Sequence, residues 1–255
     1  MYNLIHGNAL QELQKLKEQG HEYDMVLTDP PYSSGGRTFT ERRQDPITKY
    51  AVEVHRKETT ESQADVTFTG DNLDQRAWTK FTAEWLTLAR EVTKPSGLLL
   101  SFIDWRQLPA MTDAVQMAGW IWRGVAVWDK GNARPINDGI AQQAEFIVWA
   151  SNGKMLKKTK DSTYSWGVIA SARVHASKRL HMTEKPLELM RELARVARPN
   201  SSILDPFMGS GSTIHAAELE GMDATGIELT DHYYDTAVER MATYERNKPI
   251  GTIGE

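Results

Sequence analysis

Apolar residues along the chain follow two rhythms, short continuous runs and stripes spaced three or four apart, and the two alternate from one end to the other. Residues 2 to 6 read as a short strand, after which Asn8 caps a helix carrying Leu10, Leu13 and Leu16 on one face. A second strand over 23–28 has Met25, Val26 and Leu27 in succession, as a strand buried on both faces requires. It runs into Asp29, Pro30, Pro31 and Tyr32, where the prolines stop it. Trp78, Phe81, Trp85, Leu88 and Val92 form a helical stripe that Lys94, Pro95, Ser96 and Gly97 are expected to end. A buried strand over 98–103, a helix through Leu108, Met111 and Val115, and strands over 121–128 and 145–150 follow. The last third opens with Pro186 in a first helical turn ahead of Leu189, Met190, Leu193 and Val196. Ile203 and Leu204 then lead through a glycine turn into a helix over 214–219, a strand over 224–229 holding Glu228, and a final helix capped by Asp231. Strand alternating with helix predicts an open α/β sheet.

Two stretches break the rhythm. Residues 33–74 carry balanced charge, Arg37 and Arg42 among the bases and Glu41 and Asp45 among the acids, and read as one long mobile loop after the tetrapeptide. In 151–181 the charge is lopsided: Lys154, Lys157, Lys158, Lys160, Arg173, Lys178 and Arg179 face only Asp161. Composition narrows what such a segment is for. The chain has 255 residues, enough for a single domain with a full core, and a formal net charge of −4, so any polyanion is attracted by a local patch and not by the whole molecule. It has no cysteine, which excludes disulfides, thiolate-bound zinc and a cysteine nucleophile. No apolar run reaches the length of a membrane span, and the expectation is a cytoplasmic protein with no membrane partner.

Candidate chemistry gathers where strands end. Gly209 and Gly211, between a strand and a helix, let a ligand approach the backbone closely. Glu228, at the end of the next strand, suits the two ribose hydroxyls of an adenosine. A third glycine for a pyrophosphate is missing, since that position falls near Ile214. Asp205 offers an acceptor to a cationic amine, and Lys185 a partner for a carboxylate, so an adenosine bearing an amino acid matches the set. Asp29 and the Pro30 carbonyl, on another strand of the same edge, are two acceptors for the two hydrogens of an exocyclic amino group. Holding both frees the nitrogen lone pair for attack on a sulfonium methyl, while Tyr32 stacks on an extruded base.

These motifs resemble the DNA amino-methyltransferase family, adenine-N6 and cytosine-N4, in the subgroup whose catalytic motif precedes its cofactor motif. Asp29 to Tyr32 match Asp-Pro-Pro-Tyr; Phe207, Gly209 and Gly211 match Phe-x-Gly-x-Gly; His181, Thr183, Lys185 and Pro186 match His-x-Thr-x-Lys-Pro. The resemblance implies a Rossmann-like, mostly parallel seven-stranded sheet with helices on both faces, and S-adenosyl-L-methionine as cofactor. Its implied contacts are Asn8, Ala9, His181, Thr183, Lys185, Asp205, Phe207, Gly209, Ser210, Gly211, Ser212, Thr213 and Glu228. It implies DNA as partner, contacted by Arg37, Lys154, Lys157, Lys158, Arg173, Lys178 and Arg179, with 151–181 as the target-recognition insert, and it leaves room for a homodimer. Where the family usually has Gly-Asp, this chain has Gly7-Asn8. The leading Asp of the tetrapeptide leans toward adenine. Cytosine-N4 methylation, a non-catalytic DNA-binding module with a vestigial pocket, and a dinucleotide oxidoreductase are the competing readings.

Overall fold

The computed structural model describes residues 1–33, 73–131, 133, 137–160, 162–172 and 185–247. Strands are β1 (Tyr2–His6), β2 (Tyr23–Thr28), β3 (Thr93–Ile103), β4 (Ile121–Asp129), β5 (Ala144–Ser151), β6 (Val168–Ala170), β7 (Ser202–Asp205) and β8 (Asp223–Glu228). Helices are α1 (Ala9–Glu18), α2 (Gln75–Glu91), α3 (Leu108–Met117), α4 (Leu187–Ala194), α5 (Ser212–Leu219) and α6 (Asp231–Asn247). Among the described residues no helix is long and apolar enough to cross a membrane.

All eight strands join one sheet in the order β1-β8-β7-β2-β3-β5-β4-β6, parallel except that β5 runs against both its neighbours. Period-two alternation sorts the buried side chains. Val26, Leu99, Ile103, Val148 and Leu204 face α1, α2 and α3. Met25, Leu27, Leu100, Phe102, Ile147 and Ile203 face α4, α5 and α6. The result is a sheet covered on both faces, which is why β2 reads as an unbroken apolar run.

Sequence and structure part at three places. Among the described residues the sheet has eight strands and not seven: β6 lies inside 151–181 and pairs with β4, but it spans three residues and leaves Val168 63% exposed, so it has no apolar signature. Lys94 to Gly97 do not separate helix from strand; α2 ends at Glu91 and β3 already begins at Thr93. Ser96 takes a positive φ of 70°, and the Asn152 side-chain amide donates to the Thr93 carbonyl at 2.6 Å, so the bent strand start is stitched by a side chain. Asp231 is the first residue of α6 and not its cap; the Thr230 carbonyl accepts the first helical bond, from Tyr234. Residues 34–72, nearly all of the expected loop, lie outside the described residues, as do 173–184.

The site is fixed by a change of direction in the sheet. From β7 the chain passes through α5 on one face to β8; from β2 it passes through α2 on the other face to β3. Neighbouring strands whose connections leave in opposite directions open a crevice at their carboxyl ends. The β2–β7 ladder is short, pairing Met25 with Ile203 and Val26 with Leu204. Side chains clip both its ends: Asp24 Oδ2 accepts from Ser202 N and Oγ, both at 2.9 Å, and Thr28 Oγ1 donates to Asp205 Oδ1 at 2.6 Å.

Candidate active site

Four neighbouring strands deliver their last residues to this crevice. Across the edge stand Asn8 after β1, Glu228 on β8, Asp205 on β7 and Asp29 after β2. With neighbouring strands about 4.8 Å apart, roughly 10 Å separates the ends of β8 and β2.

On the β7–β8 side, Gly209 and Gly211 adopt φ of 52° and 81°, left-handed conformations that a side chain would strain, and the turn closes through Gly211 N to the Met208 carbonyl at 2.8 Å. The Glu228 carboxylate reaches back to this turn, Oε2 accepting from Gly209 N at 3.0 Å and Oε1 from Thr230 N at 2.8 Å. Burial raises its pKa against those bonds. The carboxylate thus stands at the end of β8 against the bare backbone of the turn, the place where a ribose would meet it. Asn8 spends its side-chain oxygen capping α1 at Leu10 N, 3.0 Å, and keeps its amide hydrogens; Ala9 is buried in the first turn. Phe207 rests edge-on against Trp85 and Phe81 of α2, with centroids 5.2 and 6.3 Å away. Ser210, Ser212 and Thr213 are buried at the start of α5.

Asp205 differs from the expected free acceptor. Its carboxylate takes Thr28 Oγ1, Phe207 N at 3.0 Å and Thr213 Oγ1 at 2.5 Å, and is 1% exposed. Burial outweighs these bonds and pushes its pKa up to about 6.

On the β2 side, Asp29 and Tyr32 bond to each other, the phenol donating to Asp29 Oδ1 at 2.5 Å. The fully buried Trp78 of α2 donates its indole N–H to the Pro31 carbonyl at 2.8 Å, fixing the turn from below. Among the described residues the Pro30 carbonyl has no donor, which leaves it open to one from a ligand.

Lys185, expected to await a ligand's carboxylate, is engaged with the protein. Its Nζ lies 2.6 Å from Asp29 Oδ2, 3.3 Å from Tyr32 Oη and 3.3 Å from Glu145 Oε2. Lys130, just past β4, completes the row at 2.9 Å from Glu145 Oε1. Sequence reasoning missed Glu145 and Lys130. The available signal was a charge at the end of an otherwise apolar strand; what could not be read was that β5 runs antiparallel and so begins, where β2 ends, at the crevice. Burial raises the Asp29 pKa despite the attraction of Lys185. For Lys185 burial acts downward, but the two carboxylates prevail and hold it above its usual value.

Lys154, Lys157 and Lys158 are not brought to the crevice. Asn152 pairs with Ser96 and Gly97 at the start of β3, and the Lys157 carbonyl accepts from Arg198, which precedes β7. From Gly97 to Phe102, whose ring lies 4.9 Å from Lys185 Nζ, the strand rises roughly 17 Å, so these lysines sit at the opposite edge of the sheet. Arg37, Arg173, Lys178, Arg179, His181 and Thr183 lie outside the described residues.

Residues 23–239 match the family described as DNA methylase. The chain is 28% identical to the Escherichia coli (strain K12) protein YubD over 242 residues, 92% of this chain and 89% of YubD. Its fold is similar to the M1.HpyAVI–SAM complex, with a TM-score of 0.69 at 23% identity over 94% of this chain and 99% of that one. It is also similar to PvuII DNA methyltransferase (cytosine-N4-specific), with a TM-score of 0.67 at 14% identity over 94% and 87%.

Proposed function

This chain belongs to the DNA methylase family, and on that premise we propose that it transfers a methyl group from S-adenosyl-L-methionine to the N6 amino group of adenine in DNA. The observation that carries the reading is the placing of two acceptor sets at one edge of the sheet, on β8 and after β2, with β7 between them. Glu228 faces the glycine turn, Asp29 ends β2, and the Thr28–Asp205 bond ties β2 to β7 between them. Glu228 would hold the ribose hydroxyls, the Gly209–Gly211 turn would receive the adenosine against bare backbone, and Asn8 would offer its amide hydrogens to the adenine edge. M1.HpyAVI, which has the same fold, is found with SAM.

The cofactor supplies an electrophilic methyl on a sulfonium. The protein prepares the nucleophile. An exocyclic amine is weakly nucleophilic because its lone pair is shared with the ring; Asp29 and the Pro30 carbonyl each accept one amino hydrogen, which pyramidalises the nitrogen and directs its lone pair. Tyr32 presents its ring to a base drawn out of the duplex while its hydroxyl steadies Asp29. Adenine is favoured by the leading Asp of the tetrapeptide. The fold does not argue for adenine, since the PvuII enzyme, which is cytosine-N4-specific, shares it with a TM-score of 0.67.

Nucleoside mass spectrometry of DNA from a methylation-free host expressing the chain tests the assignment. N6-methyldeoxyadenosine is expected, and N4-methyldeoxycytidine alone would overturn it. Asp29→Ala is expected to lower turnover at least 100-fold while the cofactor Kd changes less than about threefold; equal loss of both would mean that Asp29 serves binding and not transfer.

A further inference from the structure

We propose that Lys185, backed by Glu145 and Lys130, is a positioning residue that holds the Asp29 carboxylate ionised and fixed for methyl transfer, and that it does not bind the donor's carboxylate. This rests on the methyl-transfer reading above.

A lysine ammonium has three N–H groups. Lys185 donates to Asp29 Oδ2 at 2.6 Å and to Tyr32 Oη at 3.3 Å, and Glu145 Oε2 lies 3.3 Å away as an ion-pair partner without hydrogen-bond geometry, so two donors are spent on the tetrapeptide and the third faces a carboxylate of the protein. The rest of its surroundings are aromatic: the rings of Phe102, Tyr32 and Trp128 have centroids 4.9, 5.5 and 5.9 Å from Nζ. With its side chain 7% exposed, the ammonium is shut off from water and committed to the protein.

Two cations, Lys130 and Lys185, alternate with two anions, Glu145 and Asp29, along one row contributed by the residue after β4, by β5, by the second residue before α4 and by the turn after β2. Asp205 on β7 and Asp104 after β3 are the other acids near this cluster, and Tyr32 is its remaining titratable group. Without Lys185, the partly buried Asp29 would feel Glu145 and Asp205 with no direct cation. A carboxylic acid so placed takes up a proton. Protonated, it donates where it has to accept and loses its hold on the amino group.

Replacing either neighbour of the row predicts opposite shifts. In Lys185→Met the acid limb of single-turnover methyl transfer should move up by about one pH unit or more. In Glu145→Gln, which removes the competing anion and leaves Lys185 to Asp29 alone, the limb should move down. A carbon-13 carboxyl titration of Asp29 should follow both directions without any transfer taking place, and the Kd for S-adenosyl-L-methionine should stay within about threefold in each variant. A tenfold weaker Kd in Lys185→Met with an unmoved acid limb would return Lys185 to the donor's carboxylate and end the proposal. Should Lys185→Met fail to fold, Glu145→Gln decides alone: an unchanged or raised Asp29 pKa refutes the row. An unmodified enzyme that methylates no DNA defeats the underlying reading, whereas an active one with unshifted variants defeats only this inference.

Discussion

Asp205 lies in the seam between β2 and β7 with almost no solvent contact, so its charge is expensive even with three donors around it. With a folded pKa near 6 against an ordinary 3.8, the native state binds this proton more tightly than the unfolded chain does. The stability it contributes is full below pH 3.8 and is lost as pH rises through 6. Asp205→Asn keeps an acceptor for Thr28 and Phe207 and offers Thr213 an amide. Measured by thermal unfolding, the variant should gain on the wild-type protein between pH 4 and pH 7, by on the order of 1–3 kcal/mol at the upper end. A stability difference that does not change with pH would show that Asp205 does not titrate in this range. Asp205, Asp29 and Glu228 could all be picked out in the sequence because each ends a strand beside a motif. Glu145 and Lys130 could not, because their meaning depends on which strand runs the other way.

At the scale of elements, most of the strand and helix pattern could be read because burial on both faces writes continuous apolar runs into β2 and β3, and burial on one face writes stripes into α1, α2 and α4. β6 left no such trace, and the first residues of β3 were hidden by breakers that a side-chain amide makes tolerable. Gly226 on β8 belongs to the same lesson. A Cβ there would come 2.3 Å from Met208 Sδ and 2.9 Å from Ile214 Cδ1, so the glycine lets the turn and α5 settle on the strand. Gly226→Ala should cost roughly 1–3 kcal/mol in chemical denaturation through overpacking. Shortening Met208 to alanine in the same chain should return part of that loss. Additive losses in the double variant would mean the crowding lies elsewhere.

For the whole molecule, net charge and charge placement work differently. The chain carries −4, and its described lysines at 154, 157 and 158 sit at the sheet edge away from the crevice. Changing all three to alanine is therefore expected to leave DNA affinity within about threefold and the slope of log K against log salt within about one unit. A slope falling by two or more would bring DNA to that edge after all. The sequence shows the lysines to be clustered; only the antiparallel course of β5 tells where the cluster ends up. Sheet order has a further effect, on synthesis. β1 and β2 follow one another in the chain yet stand apart in the sheet, with β8 and β7 inserted between them. While the polypeptide is still emerging from a ribosome, its first two strands have a vacancy between them that only the last two can fill. Asp29 waits for a lysine 156 positions downstream. Nascent chains arrested before residue 200 should accordingly be cut readily by protease and retained by chaperones, and resistance should appear only once β8 has cleared the exit tunnel.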